Sequence, residues 1–265
     1  MVFGLVIGIA AIAFVIIWVV RMWMEAHRDV VLHHDVHLDN LPEALDGTTF
    51  FFISDVHRRV IAEEIITAVD GRASFIVIGG DLTEKGVPFD RVETNVRRLR
   101  DLAPVYFVWG NNDYEVDARK LETLLHACGV HILDNSAALL ENEGARLVLV
   151  GVDDYGTERD RLDLAMDDAP KDGFRLLISH NPDIREKVES NMGISFILSG
   201  HTHGGQIRLF GWGPREKGGM KQYPGYTLLI SNGYGTTTIP LRFNAPAETH
   251  LISLKRNENA CLDRA

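Results

Sequence analysis

Nineteen consecutive residues without a charge, Val2 to Val20, open the hydropathy pattern of this chain. A helix of that length crosses a bilayer. Beyond it the apolar positions follow two rhythms. Val30 to Leu38 alternates apolar and polar, which predicts a strand, and Thr49 to Ile53 is a short apolar run, which predicts a buried one. Ile61, Ile65 and Val69 then recur at helical spacing. Phe75 to Ile78 predicts a strand, Val92, Val96 and Leu99 a helix face, and Val105 to Val108 a strand. A helix through Leu121, Leu124 and Leu125 follows, and Leu147 to Val150, Leu176 to Ile178 and Phe196 to Leu198 predict three more strands. From Gln206 to Leu254 the chain is rich in strand and turn signals and shows no helix. The alternation predicts an α/β chain that ends in β structure, with sheets packed together and helices outside.

One regularity carries chemistry. Polar clusters stand directly after the carboxyl ends of five predicted strands: Ser54-Asp55-Val56-His57, Gly79-Gly80-Asp81, Gly110-Asn111-Asn112-Asp113, Ser179-His180, and Gly200-His201-Thr202-His203. In α/β folds that edge is where ligands bind. Asp and His two apart can be aimed at one ion by an abrupt turn, and a carboxylate such as Asp81 can bridge two ions through its two oxygens. Carboxylate, imidazole and amide oxygen suit Mn, Fe, Zn or Ni. The absence of thiolate argues against copper(I) and iron–sulfur sites. Two ions about 3.5–4 Å apart clamp the attacking and leaving oxygens of an in-line displacement. Each pair alone is a weak signal; their joint order and placement is the strong one.

Composition changes this picture in one respect. The 265 residues are 46% hydrophobic and 24% charged, which is ordinary for a globular protein, but the formal net charge is −10. A net acidic chain does not attract nucleic acid or anionic lipid by its overall field, and no nucleic-acid partner is expected. A phosphate substrate therefore requires a local reversal of sign, which bound divalent cations supply. The two cysteines, Cys128 and Cys261, make neither a disulfide framework nor a zinc site. Cys128 falls in a helical pattern and reads as a small core residue.

The first segment reads as a retained anchor. Trp18 and Trp23 stand at its end, where aromatic rings favour the membrane interface. No A-x-A-like cleavage site follows and no basic region precedes it, unlike a cleaved signal peptide. Arg21 and Arg28 follow the span, so the positive-inside rule points to a single-pass cell-membrane protein with the rest of the chain on the cytoplasmic side.

The ordered set D-V-H (55–57), G-D-L-T-E (80–84), G-N-N-D (110–113), S-H-N-P-D (179–183) and G-H-T-H-G-G-Q (200–206) resembles the calcineurin-like metallophosphoesterases. The likeness covers about Leu32 to Leu254. Gly151-Val152-Asp153-Asp154, Lys221-Gln222-Tyr223, Ser231-Asn232-Gly233 and Pro240-Leu241-Arg242-Phe243 narrow it to the membrane-anchored bacterial subgroup of YkuE and YaeI type. The resemblance implies a four-layer α/β/β/α sandwich of two mixed sheets. It divides the chain into an anchor and juxtamembrane segment, 1–28, and a catalytic domain, 29–265. It implies two divalent metal ions (Mn, Fe, Zn or similar): Asp55, His57, Asp81 and His203 would hold the first, and Asp81, Asn111, His180 and His201 the second. A bridging hydroxide would be the nucleophile, and a phosphomonoester, phosphodiester or pyrophosphate the substrate, either a small molecule or lipid-linked.

The chain departs from the family at one position. Where the family has G-N-H-D or G-N-H-E, with His as general acid or phosphate ligand, this chain has Asn112. Asn cannot deliver a proton to a leaving group, and Asp113 loses the His it would orient. Asn112, Asp113 and His203 are the catalytic candidates. Either the leaving group needs little protonation, or another residue substitutes; Arg58 and Arg59, directly after the metal loop, are candidates for binding phosphate oxygens. His33, His34, Asp35 and His37 look like a second metal cluster. Alternation, however, puts His34 on the opposite face from the other three and makes the run a solvated strand edge. The rival to an enzyme is a non-catalytic, membrane-recruited scaffold on the same fold. Such a protein should show eroded ligands, and here all seven positions are filled.

Overall fold

The computed structural model describes residues 2–257, so Cys261 lies outside the described residues. Among the described residues there are five α-helices: α1 (Val2–Ala26), α2 (Glu63–Val69), α3 (Phe89–Arg100), α4 (Ala118–Ala127) and α5 (Leu162–Asp168). One sheet contains β1 (Val31–Leu38), β2 (Thr49–Ile53), β3 (Ile76–Ile78), β4 (Val105–Phe107), β5 (His131–Ile132) and, from the far end of the chain, β12 (Thr249–Arg256), in the order β1-β12-β2-β3-β4-β5. The other contains β6 (Ser136–Asn142), β7 (Ala145–Gly151), β8 (Phe174–Ile178), β9 (Ile194–Ser199), β10 (Gly219–Tyr223) and β11 (Tyr226–Ile230), in the order β10-β11-β9-β8-β7-β6. Both sheets are mixed: β12 runs antiparallel to β2, β6 to β7 and β10 to β11, while β2, β3 and β4 are parallel, as are β7, β8 and β9.

Three apolar clusters define four layers. Phe50 and Phe52 point between the sheets, against Leu149, Leu176, Phe196 and Leu198. Phe51 and Ile53, one residue out of step on the same strand, point the other way and pack with Val69, Val96, Leu99 and Leu121 from α2, α3 and α4. That is why Thr49–Ile53 reads as an uninterrupted apolar run, since a central strand covered on both faces has no polar alternate. The outer face of the second sheet, through Val150, Leu177 and Ile197, is covered by Leu162 and Ala165 of α5. The expected α/β/β/α sandwich is therefore the observed fold.

Element by element, the structure differs from the pattern in places. Ile61 precedes α2 rather than lying in it, and α5 and the hairpin strand β6 fall where no element is predicted. Among the described residues after Gln206 no α-helix occurs, as expected. Cys128 is a buried cap at the end of α4. On β1, His33, Asp35 and His37 are exposed on one face, as the alternation predicts. His34 faces inward with Nε2 3.0 Å from Nδ1 of His250.

Helix α1 stands out from this body, and its most apolar stretch has no burial at all. Only its last turns touch the domain. Met22 and Ala26 are buried, Arg242 N donates to Met22 O at 3.0 Å, and Ala247 N donates to Glu25 O at 3.0 Å.

Candidate metal centre

The carboxyl ends of β2, β3 and β4 in one sheet and of β8 and β9 in the other converge on a single edge of the sandwich. Each loop there delivers its polar residues two to four positions after the strand end. Asp55 and His57 follow β2, Asp81 follows β3, Asn111 follows β4, His180 follows β8, and His201 and His203 follow β9. Five of these seven side chains sit on backbone in the left-handed region: Asp55 (φ 53), His57 (φ 51), Asp81 (φ 50), His201 (φ 67) and His203 (φ 50). Non-glycine residues adopt that conformation at a cost of about 1–3 kcal/mol each, and such strain clusters at functional sites. The abrupt turns are what let residues two apart converge. Close approach is also built in, since a Cβ on Gly110 would overlap the backbone nitrogen and Oδ1 of Asp81.

The distances draw the residues into one cluster. His57 Nε2 lies 3.2 Å from His203 Nε2 and 3.7 Å from Asp81 Oδ2. His180 Nε2 lies 3.2 Å from Asp81 Oδ2 and 3.3 Å from His201 Nδ1. His203 Nε2 is 3.4 Å from Asp55 Oδ1. Two sets of donors each lie within 4.8 Å of one another: Asp55, His57 and His203, and Asp55, Asp81 and His180. The first falls within the ligand set expected for one ion. The second adds Asp55 to the neighbourhood of the other, so Asp55 lies close to both. Asn111 Oδ1 is buried with no hydrogen-bond partner. A buried amide oxygen left bare beside Asp81 fits a cation ligand, and the set of carboxylate, imidazole and amide donors fits two hard or borderline divalent ions.

The surrounding contacts orient these donors. Glu84, whose motif position had no assigned role, places Oε2 3.0 Å from His57 Nδ1, which turns Nε2 toward the cluster. His180 Nδ1 donates to Gly79 O at 2.9 Å, which leaves Nε2 free to ligate. Burial opposes charge on His180, but Asp81 and Asp55 outweigh it and raise its pKa to about 10. Burial, then His180 and Arg215, push His201 down to about 4. Burial, Arg242 and His57 depress His203. A divalent ion held by His180 would have to displace a proton from it.

Asn112 lines the cleft, and its backbone N–H donates to Asp81 Oδ1 at 2.8 Å. Asp113 does not reach the cleft. It is fully buried, accepting Thr83 N at 3.0 Å and Gly110 N at 2.9 Å, and burial and Asp81 raise its pKa to about 7. Its place in the structure is to hold the loop that carries Asn111. Asp153 accepts from Tyr114 Oη at 2.7 Å and from Arg159 Nε at 3.0 Å, tying the end of β7 to the same loop, and is not among the clustered donors.

The arginines require a correction. Arg59 is spent on structure: its guanidinium donates to Arg28 O at 3.1 Å, Tyr234 O at 2.7 Å and Asp29 Oδ1 at 2.6 Å, and lies over the Tyr234 ring. Arg58 pairs with Glu84 and donates to Lys85 O. The cationic side chain lining the cleft is Arg215, with Nη1 2.6 Å from His201 Nε2. No spacing or motif in the sequence singled it out. The cleft has a volume of about 320 Å³, and Gln206, Thr237, Thr238 and Ile239 are among the residues that line it.

The calcineurin-like phosphoesterase family model matches residues 48–205, and the chain belongs to that family. The uncharacterized protein YpbG of Bacillus subtilis is 44% identical over 208 residues, covering 78% of this chain and 80% of that one. The phosphodiesterase YaeI of Escherichia coli is 27% identical, covering 60% of this chain and 61% of YaeI. A transmembrane protein with metallophosphoesterase domain from Danio rerio is 28% identical over 252 residues; the match covers 85% of this chain but only 57% of that longer protein. Among solved structures, the phosphopantetheinyl hydrolase PptH from Mycobacterium tuberculosis superposes with a TM-score of 0.50 at 12% identity, over 74% of this chain and 96% of that one, a likeness of fold alone. The chain is a metallophosphoesterase-family hydrolase with clustered residues suited to divalent metal ions.

Proposed function

We propose that this protein is a membrane-anchored phosphoesterase that hydrolyses a phosphomonoester, phosphodiester or pyrophosphate at a dinuclear metal centre. Residues 1–28 form the anchor and 29–265 the catalytic domain, with Arg21 and Arg28 favouring the cytoplasmic side. The observation that carries this reading is the convergence of seven donors from five strand ends on one cleft, five of them on left-handed backbone. Asp55, His57, Asp81 and His203 would hold one ion, and Asp81, Asn111, His180 and His201 the other. The ions, when bound, supply a deprotonated water as nucleophile and electrostatic stabilisation of the phosphoryl oxygens.

The chain's own groups do the rest. Glu84 and Gly79 O set the tautomers of His57 and His180. Arg215 stands in the cleft, where its guanidinium suits a phosphoryl oxygen. Asn112 can donate a hydrogen bond to substrate but not a proton, so the leaving group departs without acid assistance from that position. This favours substrates whose leaving group is itself a stable anion, such as a pyrophosphate or an activated diester.

The test is direct. Metal-free protein, with Mn²⁺ added back, is assayed on p-nitrophenyl phosphate and bis-p-nitrophenyl phosphate. Metal-dependent turnover is expected. Stoichiometric metal binding with no turnover of either would assign a scaffold instead.

A further inference from the structure

Beside the cleft, the chain from Leu209 to Trp212 makes a two-residue hairpin in which Leu209 N donates to Trp212 O, and Trp212 N to Leu209 O, both at 2.9 Å. The two turn residues have positive φ, Phe210 at 52° and Gly211 at 83°. Such turns ordinarily take Asn or Gly first, and a bulky aromatic at that position is a strained choice. Phe210 is nonetheless fully solvent-exposed at 106%, and Trp212 is 75% and Leu209 44% exposed. Strain combined with apolar exposure gains the isolated fold nothing. Clustered apolar exposure of this kind marks a surface that meets a partner.

The hairpin is tied to the end of α1. Arg208 N donates to Phe243 O at 2.8 Å, and Phe243 N donates to Gln206 O at 2.9 Å. Asn244 joins both sides, with Nδ2 donating to Arg208 O at 3.1 Å and N donating to Glu25 Oε2 at 2.8 Å. The Phe243 ring packs edge-on against Trp18 at 5.5 Å, and the Arg21 guanidinium lies over the same ring at 5.4 Å. Trp18 belongs to the charge-free run Val2–Val20, so the domain reaches down to the level at which that run leaves the hydrocarbon. Trp18 on the helix thus packs against Phe243, the residue whose backbone pairs with the stem of the hairpin that carries Phe210 and Trp212. A groove between the end of α1 and Gly211 of the hairpin is lined by Arg28, Arg208 and Lys217 with one carboxylate, Glu25, and its excess of cations favours an anionic lipid surface.

The chain joins the cleft to this surface through Gln206. Gln206 lines the cleft two residues before the start of the strained loop's basic stem, and its amide donates to Thr237 O at 3.1 Å and Ile239 O at 2.8 Å. Ile239, half-exposed on the rim, is four residues from Phe243, so the two Cα atoms are at most about 14 Å apart.

We propose that the hairpin Leu209–Trp212 seats in the membrane interface beside the anchor, and that the cleft therefore receives phosphoesters carried by an amphiphile lying in that bilayer. This rests on the reading of α1 as a membrane anchor. A cleft of about 320 Å³ accommodates a phosphoester headgroup, while the acyl or alkyl chain stays in the lipid.

The test uses full-length protein in nanodiscs of phosphatidylcholine and phosphatidylglycerol, with Cys128 and Cys261 replaced by Ser and one cysteine introduced for an environment-sensitive fluorophore. The positions are Phe210→Cys, Val15→Cys within α1, and Leu164→Cys on the outer helix layer. Quenching by shallow spin-labelled lipid at 210 and by deep spin-labelled lipid at 15, with quenching by aqueous iodide at 164, is the expected result. No lipid quenching at 15 would refute the anchor itself. Lipid quenching at 15 with iodide quenching at 210, or with neither quencher effective at 210, would leave the anchor standing and overturn this proposal, the last outcome indicating a protein contact. A second arm compares two diesters with the same leaving group, hexadecyl p-nitrophenyl phosphate dispersed in the nanodisc and soluble bis-p-nitrophenyl phosphate. The double variant Phe210→Ser, Trp212→Ser should lose about tenfold or more on the first, given two large side chains removed from an apolar phase, with the second unchanged. Equal loss on both, or loss on neither, would overturn the assignment of substrate class.

Discussion

Arg242 places Nη2 3.0 Å from Nδ1 of His203, and the arginine is fully buried. The guanidinium faces carbonyl oxygens rather than a paired carboxylate: Nη2 donates to Asn232 O at 2.6 Å, and Nη1 donates to Ala245 O at 2.9 Å. Its own backbone N–H donates to Met22 O at the end of α1. One residue therefore ties the apolar helix to a candidate metal ligand.

Replacing it should separate two of its roles. Arg242→Met leaves several buried carbonyls unpaired and should destabilise the domain by roughly 3 kcal/mol or more, read by chemical denaturation. Arg242→Lys keeps the charge but not the planar fork. We expect it to fold and to lose about 10–100-fold in affinity for one of the two metals, measured by titration into metal-free protein. Unchanged binding of both metals would refute the positioning role.

Asp81 reaches both halves of the site, with Oδ2 3.7 Å from His57 Nε2 and 3.2 Å from His180 Nε2. Asp81→Ala should retain the fold by circular dichroism but bind fewer than two metals. Turnover of bis-p-nitrophenyl phosphate should fall by roughly 10³-fold or more, because unassisted water has a pKa near 15.7 rather than about 7.

Asn112→His restores a proton donor at the cleft. With a p-nitrophenol leaving group, which departs as an anion, the rate should change little. With alkyl leaving groups it should rise by about 10²-fold, toward the range general acids supply. An equal gain across the leaving-group series would count against the reading of Asn112 as a missing acid.

His250 is enclosed between His34 at 3.0 Å and Ser231 Oγ at 2.9 Å, with Glu248 3.8 Å away. Burial and then His34 push its pKa down to about 3, and His34 is itself lowered by burial and His33. The unfolded chain takes up this proton below about pH 6.5, whereas the folded chain resists it until far lower. The stability from this group is fully present above that pH and is lost as pH falls toward 3. Metal-loaded protein should lose on the order of 1–2 kcal/mol from this site between pH 7 and 5. His250→Gln should show a flatter slope in the same denaturation series, whatever its absolute stability.

Periodicity carried the fold. The runs at Thr49–Ile53, Val105–Phe107 and Ile194–Ser199 are buried on both sides, and a strand covered twice announces itself in every residue. The segments passed over were the less regular ones. The edge strand β6 is only partly buried, and α5 buries only Leu162 and the small Ala165, too sparse a stripe to stand out. The candidate donors were legible because each stands directly after such a strand. Their convergence follows once five parallel strand ends meet at one edge.

The sequence by itself determined the strands buried on both faces, the seven candidate donors after them and the apolar run at Val2–Val20, because burial imposes a repeating pattern on neighbouring residues. Only the tertiary structure decided which arginine does what. Arg59 and Arg58 stand beside the metal loop in sequence and are engaged elsewhere, while Arg215 and Arg242 reach His201 and His203 from 14 and 39 residues away. A long, charged side chain in an irregular loop leaves no periodic trace. Its partner is set by where the fold brings distant backbone together, and that same folding sets the Phe210 hairpin beside the end of the helix.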